Sequence, residues 1–334
     1  MFNPITPAAL THLQDQHAFR AWQVQSDHLE PRSIEILKRK RKAAVYRLTG
    51  VGPDGASIMA RRSRHVTGRV ERLIYQELLP RIPVPSLACY GYLRDPNEDF
   101  CWLFLEDPEG GPYSPKSAKH RALAGHWLGE IHLATVPEEI KRQLPDRELG
   151  YYLHLVQRCR ANLLEHLART ALLAEHTALL FSFVSFCEEI ESRWRQIQEA
   201  CGAMPRTLVH GDFVIKNVRI RNGVTGRALL VFGWQFAGWG VPATDLAQFI
   251  DRVVSPDLGT YRSVLARNYP HLELQDVQRV SACGNVLRVV DEMHGALLRL
   301  KVGDPASVMK AVALLSVYDA TVPVAVQRLE AELG

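Results

Sequence analysis

The sequence has no long apolar run, no paired-cysteine motif and no strong charge of one sign. The longest apolar stretches fall short of the roughly 20 residues that cross a bilayer, and even residues 311–322 are interrupted by Asp319. Lys and Arg number 40 against 36 Asp and Glu, giving a net charge of +4 that does not imply a nucleic-acid partner. We therefore expect neither a membrane nor a nucleic acid as partner.

The six cysteines are scattered along the chain, and no two of them form a C-x-x-C pair. This spacing favours reduced, mostly buried thiols over disulfides or a zinc site. Charged and histidine side chains interrupt the first 25 residues, so this segment does not have the apolar core of a signal peptide. These features predict a cytoplasmic protein.

Turn and strand signals dominate the first hundred of the 334 residues. Residues 44–48 and 57–60 flank the turn-forming segment 51–55, which predicts a hairpin. Residues 67–79 have helical spacing, and the apolar run 100–105 has the length of a strand. A breaker cluster follows that strand, so we predict an N-terminal lobe at 1–107 and a C-terminal lobe at 108–334.

The second lobe is predicted to be rich in helices, because residues 119–134 and 152–201 repeat apolar side chains every three or four positions. Within it, residues 218–220 and 228–232 predict a second hairpin, with Asn222-Gly223 as its turn. The expected fold class is therefore α+β, with a small β-rich N-terminal lobe and a larger α-rich C-terminal lobe.

The segment His-Gly-Asp-Phe-Val-Ile-Lys-Asn at 210–217 carries the clearest chemical signal. Asp212 and Asn217 have the spacing of kinase catalytic loops, in which the aspartate orients the substrate hydroxyl and the asparagine binds magnesium. A bland alternative is a tight turn in which Asp212 caps backbone N–H groups.

Residues 208–217 resemble the catalytic loop of the bacterial aminoglycoside phosphotransferases and their choline-kinase-like relatives. This resemblance runs through most of the chain and implies a bilobal protein-kinase-like fold, ATP and Mg²⁺ as cofactors, and a small-molecule alcohol as substrate. It assigns Asp212 and His210 as catalytic-site residues, with His210 expected to brace the loop, and Asn217 as a metal ligand.

The segment 232–247 resembles the metal-binding strand of the same family, with one departure. Where the family has Asp-Trp, this chain has Gly233-Trp234, so the expected magnesium-binding carboxylate is missing. Asp245 corresponds to a structural anchor of the family and is not a substitute ligand.

A second departure lies in residues 57–62, which resemble the strand that carries the family's nucleotide-binding lysine. The matching position is Arg61, and Glu71 resembles the helix glutamate that holds this cation. Arginine can pair with glutamate and phosphate, but its planar fork differs from a compact ammonium. The alternatives are a solvated strand edge for Arg61 and an ordinary surface position for Glu71.

Two more segments have a place in the family pattern. Residues 102–106 resemble the segment that binds adenine through its backbone, which makes the Leu105 carbonyl and the Asp107 N–H candidates; a buried core strand is the alternative. The basic run 38–42 lies where the family has its nucleotide-covering loop, but it lacks a G-x-G-x-x-G motif, and a solvated face is the simpler interpretation.

Two functions from different classes remain open. The first is an ATP-dependent phosphotransferase acting on a small-molecule hydroxyl and impaired by Gly233, whether that glycine is natural or engineered. The second is a pseudokinase that serves as a nucleotide-binding or scaffolding module. The acceptor is not specified by the sequence, although Asp251, Asp291 and Glu292 could form an acidic pocket for a cationic compound.

Overall fold

A computed structural model describes residues 17–26, 29–95, 99–169, 172–223, 226–298, 300 and 304–334. The chain forms two compact units, one of Met1–Pro112 with Asn217–Phe236 and one of Tyr113–Lys216 with Ala237–Gly334. Each unit draws on two separate stretches of sequence, so neither coincides with the lobes 1–107 and 108–334, which remain a prediction. The fold class is confirmed: a β-sheet region comes first and a helical region follows.

The first unit is built on an antiparallel sheet of five strands in the order β1-β2-β3-β5-β4. The hairpin predicted from residues 44–48 and 57–60 is confirmed as the pairing of β2 with β3. The strand β1 was not predicted, and it begins the sheet. The strands are β1 (Ser33–Lys40), β2 (Ala43–Thr49), β3 (Ile58–Arg64), β4 (Cys89–Arg94) and β5 (Phe100–Glu106).

One face of this sheet forms an apolar core. Alternate side chains of β2, such as Tyr46 and Leu48, are buried on that face, as the period of two requires. Helix α1 (His17–Gln25) packs there, with the Trp22 ring edge-on to Phe104 at a centroid distance of 5.1 Å. The alternate residues of β3 point to the opposite face.

On that opposite face lies α2 (His65–Leu73), which continues as one π-helical turn, Ile74–Leu78. The helix predicted for 67–79 is therefore confirmed, although it begins two residues earlier and its last turn is π-helical rather than α-helical. Glu71 and Tyr75 are both buried, at 0% and 3% exposure.

A three-stranded sheet in the order β10-β9-β6 completes the first unit, from β6 (Gly111–Pro112), β9 (Val218–Gly223) and β10 (Gly226–Val231). The second predicted hairpin is thus present, but its turn was misplaced. Asn222 pairs with Arg227 within the ladder, and the pairing extends to Gly223 and Gly226. The side-chain composition suggested a turn two residues too early, and the connecting residues 224–225 lie outside the described part of the chain.

The second unit is mainly helical, with α9 as its central and most buried helix. A capping box between Glu273 and Asp276 starts α9 by satisfying its first backbone N–H groups. A small sheet in the order β7-β11-β8 lies beside the helices. Its strands are β7 (Asp146–Arg147), β8 (Thr207–Val209) and β11 (Gly238–Gly240). The helices are α3 (Ala118–Leu133), α4 (Glu138–Lys141), α5 (Leu149–Arg169), α6 (Ala174–Ser192), α7 (Trp194–Gly202), α8 (Leu258–Leu265), α9 (Leu274–Leu297), α10 (Pro305–Asp319) and α11 (Thr321–Leu333).

All six cysteines lie in described segments and are free thiols, and all but Cys89 are buried, as expected. Among the helices that the structure describes, none is by itself long and apolar enough to span a membrane. Ala306–Asp319 and Thr321–Leu333 meet that test only as a pair, which is bent by 45° at their junction.

Candidate active site

Asp245 fixes the backbone of the predicted catalytic loop in the second unit. Its carboxylate oxygens accept hydrogen bonds from the backbone N–H groups of His210 at 2.6 Å and Gly211 at 2.9 Å. Gly211 has a φ of 73°, a left-handed conformation that favours glycine. The anchor and the glycine together turn the chain immediately before Asp212.

The carboxylate of Asp245 is buried, and nearby histidines stabilise its charge. His132 Nε2 lies 3.5 Å from Asp245 Oδ2, and His132 Nδ1 lies 2.8 Å from the Tyr261 hydroxyl oxygen. Burial raises the pKa of Asp245, but His132 and His210 lower it by more, so the net shift is downward. His132 is thus buried in the core and also supports the anchor.

His210 is completely buried next to the residue that it was expected to brace. Its Nδ1 accepts a hydrogen bond from the backbone N–H of Asp212 at 3.2 Å, and its ring meets Phe213 edge-on. This geometry suits a residue that holds the loop. It does not suit exchange of protons with a substrate.

The side chain of Asp212 is held between two cations. Arg288 Nη2 donates to Asp212 Oδ1 at 2.9 Å, and Lys216 Nζ lies 3.2 Å from Oδ2. Arg288 Nη1 also donates to the Gly211 carbonyl at 2.9 Å, so one guanidinium fixes both the loop backbone and the carboxylate. Burial opposes the charge of Arg288, but Asp212 and Glu292 outweigh it and the pKa of Arg288 is raised.

The carboxylates considered for an acidic pocket already have cations beside them. Glu292 lies 2.7 Å from Arg288, and Asp251 lies 3.1 Å from its neighbour Arg252. Burial raises the pKa of Asp291 to about 6, and the nearby charges of Arg147 and Arg288 limit the rise. Each of these three carboxylates therefore has at least one arginine near it.

In the first unit, Arg61 and Glu71 form the ion pair that the resemblance implied. Arg61 Nη1 lies 2.7 Å from Glu71 Oε1, and Arg61 Nη2 also donates to the Gln235 side-chain carbonyl. Burial raises the pKa of Glu71, and the charge of Arg61 acts in the opposite direction. The alternatives, a solvated strand edge for Arg61 and a surface position for Glu71, do not fit, because Glu71 is fully buried and Arg61 is bound to it.

Gly233 lies in the same unit, just after β10, with a φ of 85°. Its backbone N–H donates to the hydroxyl of the buried Tyr75 at 3.3 Å. A side chain placed here would start 3.1 Å from the Asn217 carboxamide, so position 233 and Asn217 share one small space. A carboxylate at position 233 would lie beside Asn217.

The donor atoms present here do not fit a magnesium ion of the kind that the family pattern implies. Magnesium in phosphate-binding sites is held by one or two protein carboxylates. Position 233 supplies none, and the described residues contain no cluster of three or more His, Cys, Asp or Glu that could hold a metal. Asn217 is left as a neutral amide donor.

The profile of the Phosphotransferase enzyme family (APH) matches residues 34–283, which include Arg61, Glu71, the loop 210–217, Gly233 and Asp245. The chain belongs to this family. No curated protein matches its sequence.

Solved structures with the same fold include enzymes that act on different small molecules. The chain aligns with the GDP complex of wild-type aminoglycoside 2'-phosphotransferase-IIIa at 13% identity and a TM-score of 0.63, covering 91% of this chain and 98% of the other. It aligns with spectinomycin phosphotransferase in complex with ADP and spectinomycin at 12% identity and a TM-score of 0.58, covering 93% and 98%. It aligns with Plasmodium vivax ethanolamine kinase at 13% identity and a TM-score of 0.59, covering 87% of this chain and 83% of the other. At these identities the likeness concerns the fold.

The segment compared with the adenine-binding region of the phosphotransferase family is part of the sheet. Leu105 lies inside β5, opposite Met59 on β3 and Cys89 on β4. Asp107 follows the strand, and its carboxylate accepts from Arg47 Nε at 2.6 Å. Leu105 is therefore the core strand residue of the bland alternative, and any adenine contact by Leu105 or Asp107 remains a prediction.

The basic run 38–42 ends β1 and forms the tight connection to β2, and all of its residues are exposed. This is the solvated face favoured by the sequence. These residues form the end of a strand and a tight turn, whereas the family pattern implied a nucleotide-covering loop.

Among the site residues that were not singled out from the sequence are Arg288, Arg147 and Gln235. The sequence contains a signal for Arg288, because this charged residue interrupts the apolar run 286–290 on a helix that is buried. Arginine is almost never fully buried unless it is paired. No local pattern indicates its partner, since Asp212 is distant in sequence.

The anchor gives a prediction for Asp245→Asn. Because a charged acceptor strengthens each of the two hydrogen bonds by about 1 kcal/mol, we expect a loss of roughly 2 kcal/mol in unfolding free energy near neutral pH. The lowered pKa of Asp245 means that its contribution is present above the unfolded pKa of about 3.9 and is lost as the pH falls through the folded value.

Urea unfolding at several pH values measures this difference. The difference in unfolding free energy between Asp245→Asn and the unaltered chain should become smaller at acidic pH. The exposed Asp319→Asn serves as control and should stay within about 0.5 kcal/mol of the unaltered chain. The proposed role of Asp245 would be contradicted if this free-energy difference were absent at pH 7 or became larger in acid.

Proposed function

We propose that the chain is an ATP-dependent phosphotransferase of a hydroxyl on a small molecule, impaired in metal-dependent transfer by Gly233. The observation that carries this proposal is the fixed carboxylate of Asp212, held by Arg288 at 2.9 Å behind a loop anchored by Asp245. Membership of the phosphotransferase family supports the reaction class. The similar structures that hold ADP or GDP support a nucleotide as phosphate donor.

Phosphoryl transfer depends mainly on positioning and charge stabilisation, with little demand for a strong nucleophile. Asp212 suits the task of orienting the acceptor hydroxyl and accepting its proton, because its carboxylate is held in one place. Arg61, fixed by Glu71, suits contact with the nucleotide phosphates as a cation with a planar fork. A cytoplasmic location, where ATP is available and thiols stay reduced, fits the six free cysteines.

A pseudokinase is the second candidate, and one observation favours it. Position 233 has no carboxylate, and the Asn217 side chain beside it is a neutral amide. Against it, a chain that performs no transfer has no need for a buried arginine that positions Asp212. Buried ion pairs are costly to desolvate and contribute little net stability.

The two candidates are separated by Gly233→Asp with Gly233→Asn as its matched control. Both side chains tolerate the left-handed φ better than most, and both meet Asn217 at the same distance, so they differ mainly in charge. Restoring a metal carboxylate is expected to raise magnesium-dependent ATP turnover by about 100-fold or more over the asparagine variant, because a metal contributes several kcal/mol to the transition state.

The measurement is ATP turnover with a panel of alcohols, with and without magnesium. Equal and negligible turnover by both variants would contradict the proposal and favour the pseudokinase. High turnover by the unaltered chain would exclude the pseudokinase and the claim of impairment together.

A second substitution tests the role of Asp212. In the Gly233→Asp background, Asp212→Asn should lower phosphate transfer by about 100-fold or more, since general acid–base groups contribute about 10²–10⁴-fold. ATP affinity should be nearly unchanged, because the carboxylate acts on the acceptor. Steady-state turnover and calorimetric ATP binding measure both, and a large loss of ATP binding would contradict this assignment.

A further inference from the structure

The basic run 38–42 contributes side chains to a cavity in the first unit. This cavity has a volume of about 380 Å³, which is within the range of small-molecule sites. The described residues that line it are His17, Arg39, Lys40, Arg41, Ala44, Tyr46 and Arg62. Four of these lining residues are arginines or lysines, and none of them carries a carboxylate.

The register of the sheet explains why two arginines meet at this cavity. Ala44 on β2 pairs with Arg39 on β1 and with Arg62 on β3, so the three side chains project from one face. The two arginines are two strand spacings apart, roughly 10 Å, and the side chain between them is only a methyl group. The Arg62 guanidinium lies over the Phe100 ring at 3.7 Å, which helps to fix its position. The cavity is thus the space above Ala44, with an arginine on each side.

The cavity lies on the face of the sheet opposite to Arg61. Arg61 and Arg62 are consecutive in β3, so their side chains point to opposite faces. Arg61 binds Glu71 of α2 on one face, whereas Ala44 and Tyr46 belong to the apolar core that packs against α1 on the other. The sheet therefore separates this cavity from the cation that suits contact with nucleotide phosphates.

The cations of the run are open to an anion, because no carboxylate neutralises them. Residues 39–41 are exposed and form no ion pair within the described part of the chain. The five strands contain two carboxylates, Glu35 and Glu106, and each of them pairs with an arginine that does not line the cavity. Glu35 lies 2.8 Å from Arg47, and Glu106 lies 2.8 Å from Arg221. An anion could therefore bind residues 39–41 without displacing a carboxylate from them.

We propose that this cavity binds a compound with two or more phosphate groups, held by Arg39 and Arg62 on either side of Ala44 and by the adjacent Lys40 and Arg41. A guanidinium matches the oxygens of a phosphate in a bidentate geometry, and a phosphate carries more charge than a carboxylate. Guanidinium groups on separate strands favour a ligand whose phosphates are several ångströms apart over a single phosphate ion. The site does not depend on the proposed phosphate transfer, because it lies across the sheet from Arg61.

Calorimetric binding of tripolyphosphate and of inositol hexakisphosphate to the full-length chain tests the proposal. We expect both compounds to bind, and orthophosphate to bind at least about tenfold more weakly, because a single phosphate group reaches fewer of the cations. Binding of neither compound would overturn the proposal, and so would orthophosphate binding as tight as theirs.

Two lysines of the run provide a matched pair of substitutions. Lys40→Gln should weaken tripolyphosphate binding by about tenfold, because it removes a cation that lines the cavity. Lys42→Gln removes the same charge from an exposed residue that is not among the lining residues, and it should have little effect. Equal losses in the two variants would indicate attraction by the overall charge of the run and would overturn the proposal.

Substitutions at Arg39 show whether binding occurs above Ala44. Arg39→Gln should weaken tripolyphosphate binding by about tenfold or more, and Arg39→Lys should restore part of it, with the melting temperature unchanged in both. Any ATP affinity should be the same in Arg39→Gln as in the unaltered chain, because Arg39 faces away from Arg61. Unchanged tripolyphosphate binding in Arg39→Gln, or a parallel loss of ATP binding, would contradict this assignment.

Vesicles of phosphatidylcholine, with and without a phosphatidylinositol bisphosphate, identify the source of the phosphate groups. Cosedimentation that requires the bisphosphate lipid and is lost in Arg39→Gln would identify a lipid headgroup as the ligand. Tripolyphosphate binding without such cosedimentation would identify a free compound. Both results support the cavity as the binding site.

Discussion

The rest of the predicted catalytic loop depends on the hydrogen bonds that the buried carboxylate of Asp245 accepts. It accepts the backbone N–H groups of His210 and Gly211, and so it fixes the direction of the chain entering Asp212. A buried carboxylate is unfavourable unless hydrogen bonds and opposite charge offset its desolvation. His132 on α3 and the loop itself provide both, which ties the position of the loop to the helical core.

Arg288 extends this arrangement from the backbone to the side chain of Asp212. Its two terminal nitrogens reach the Gly211 carbonyl and the Asp212 carboxylate at the same distance of 2.9 Å. Because a guanidinium is planar and rigid, the pair fixes the orientation of the carboxylate as well as its place. The same arginine binds Glu292 at 2.7 Å, so one guanidinium joins the carboxylate of Asp212 to a second carboxylate on α9.

Sequence patterns predicted the parts of this structure that depend on local signals. The β2–β3 hairpin, α2, the strand β5 and the family to which the loop belongs all follow from turn residues, periodicity and one motif. The patterns missed β1, because a run of alternating Lys and Arg resembles a solvated loop, and they placed the second turn two residues early at Asn222-Gly223. Arg288 was missed for a different reason: its partner Asp212 is 76 residues away, and only the folded chain brings the two together.

The proposed impairment depends on Gly233, which leaves no carboxylate of its own in the space that position 233 shares with Asn217. The most direct measurement is the melting temperature of the unaltered chain with ATP, in the presence and absence of magnesium. We predict that ATP raises the melting temperature and that magnesium adds little, because the protein offers the metal no carboxylate at position 233. A large additional rise that requires magnesium would contradict it.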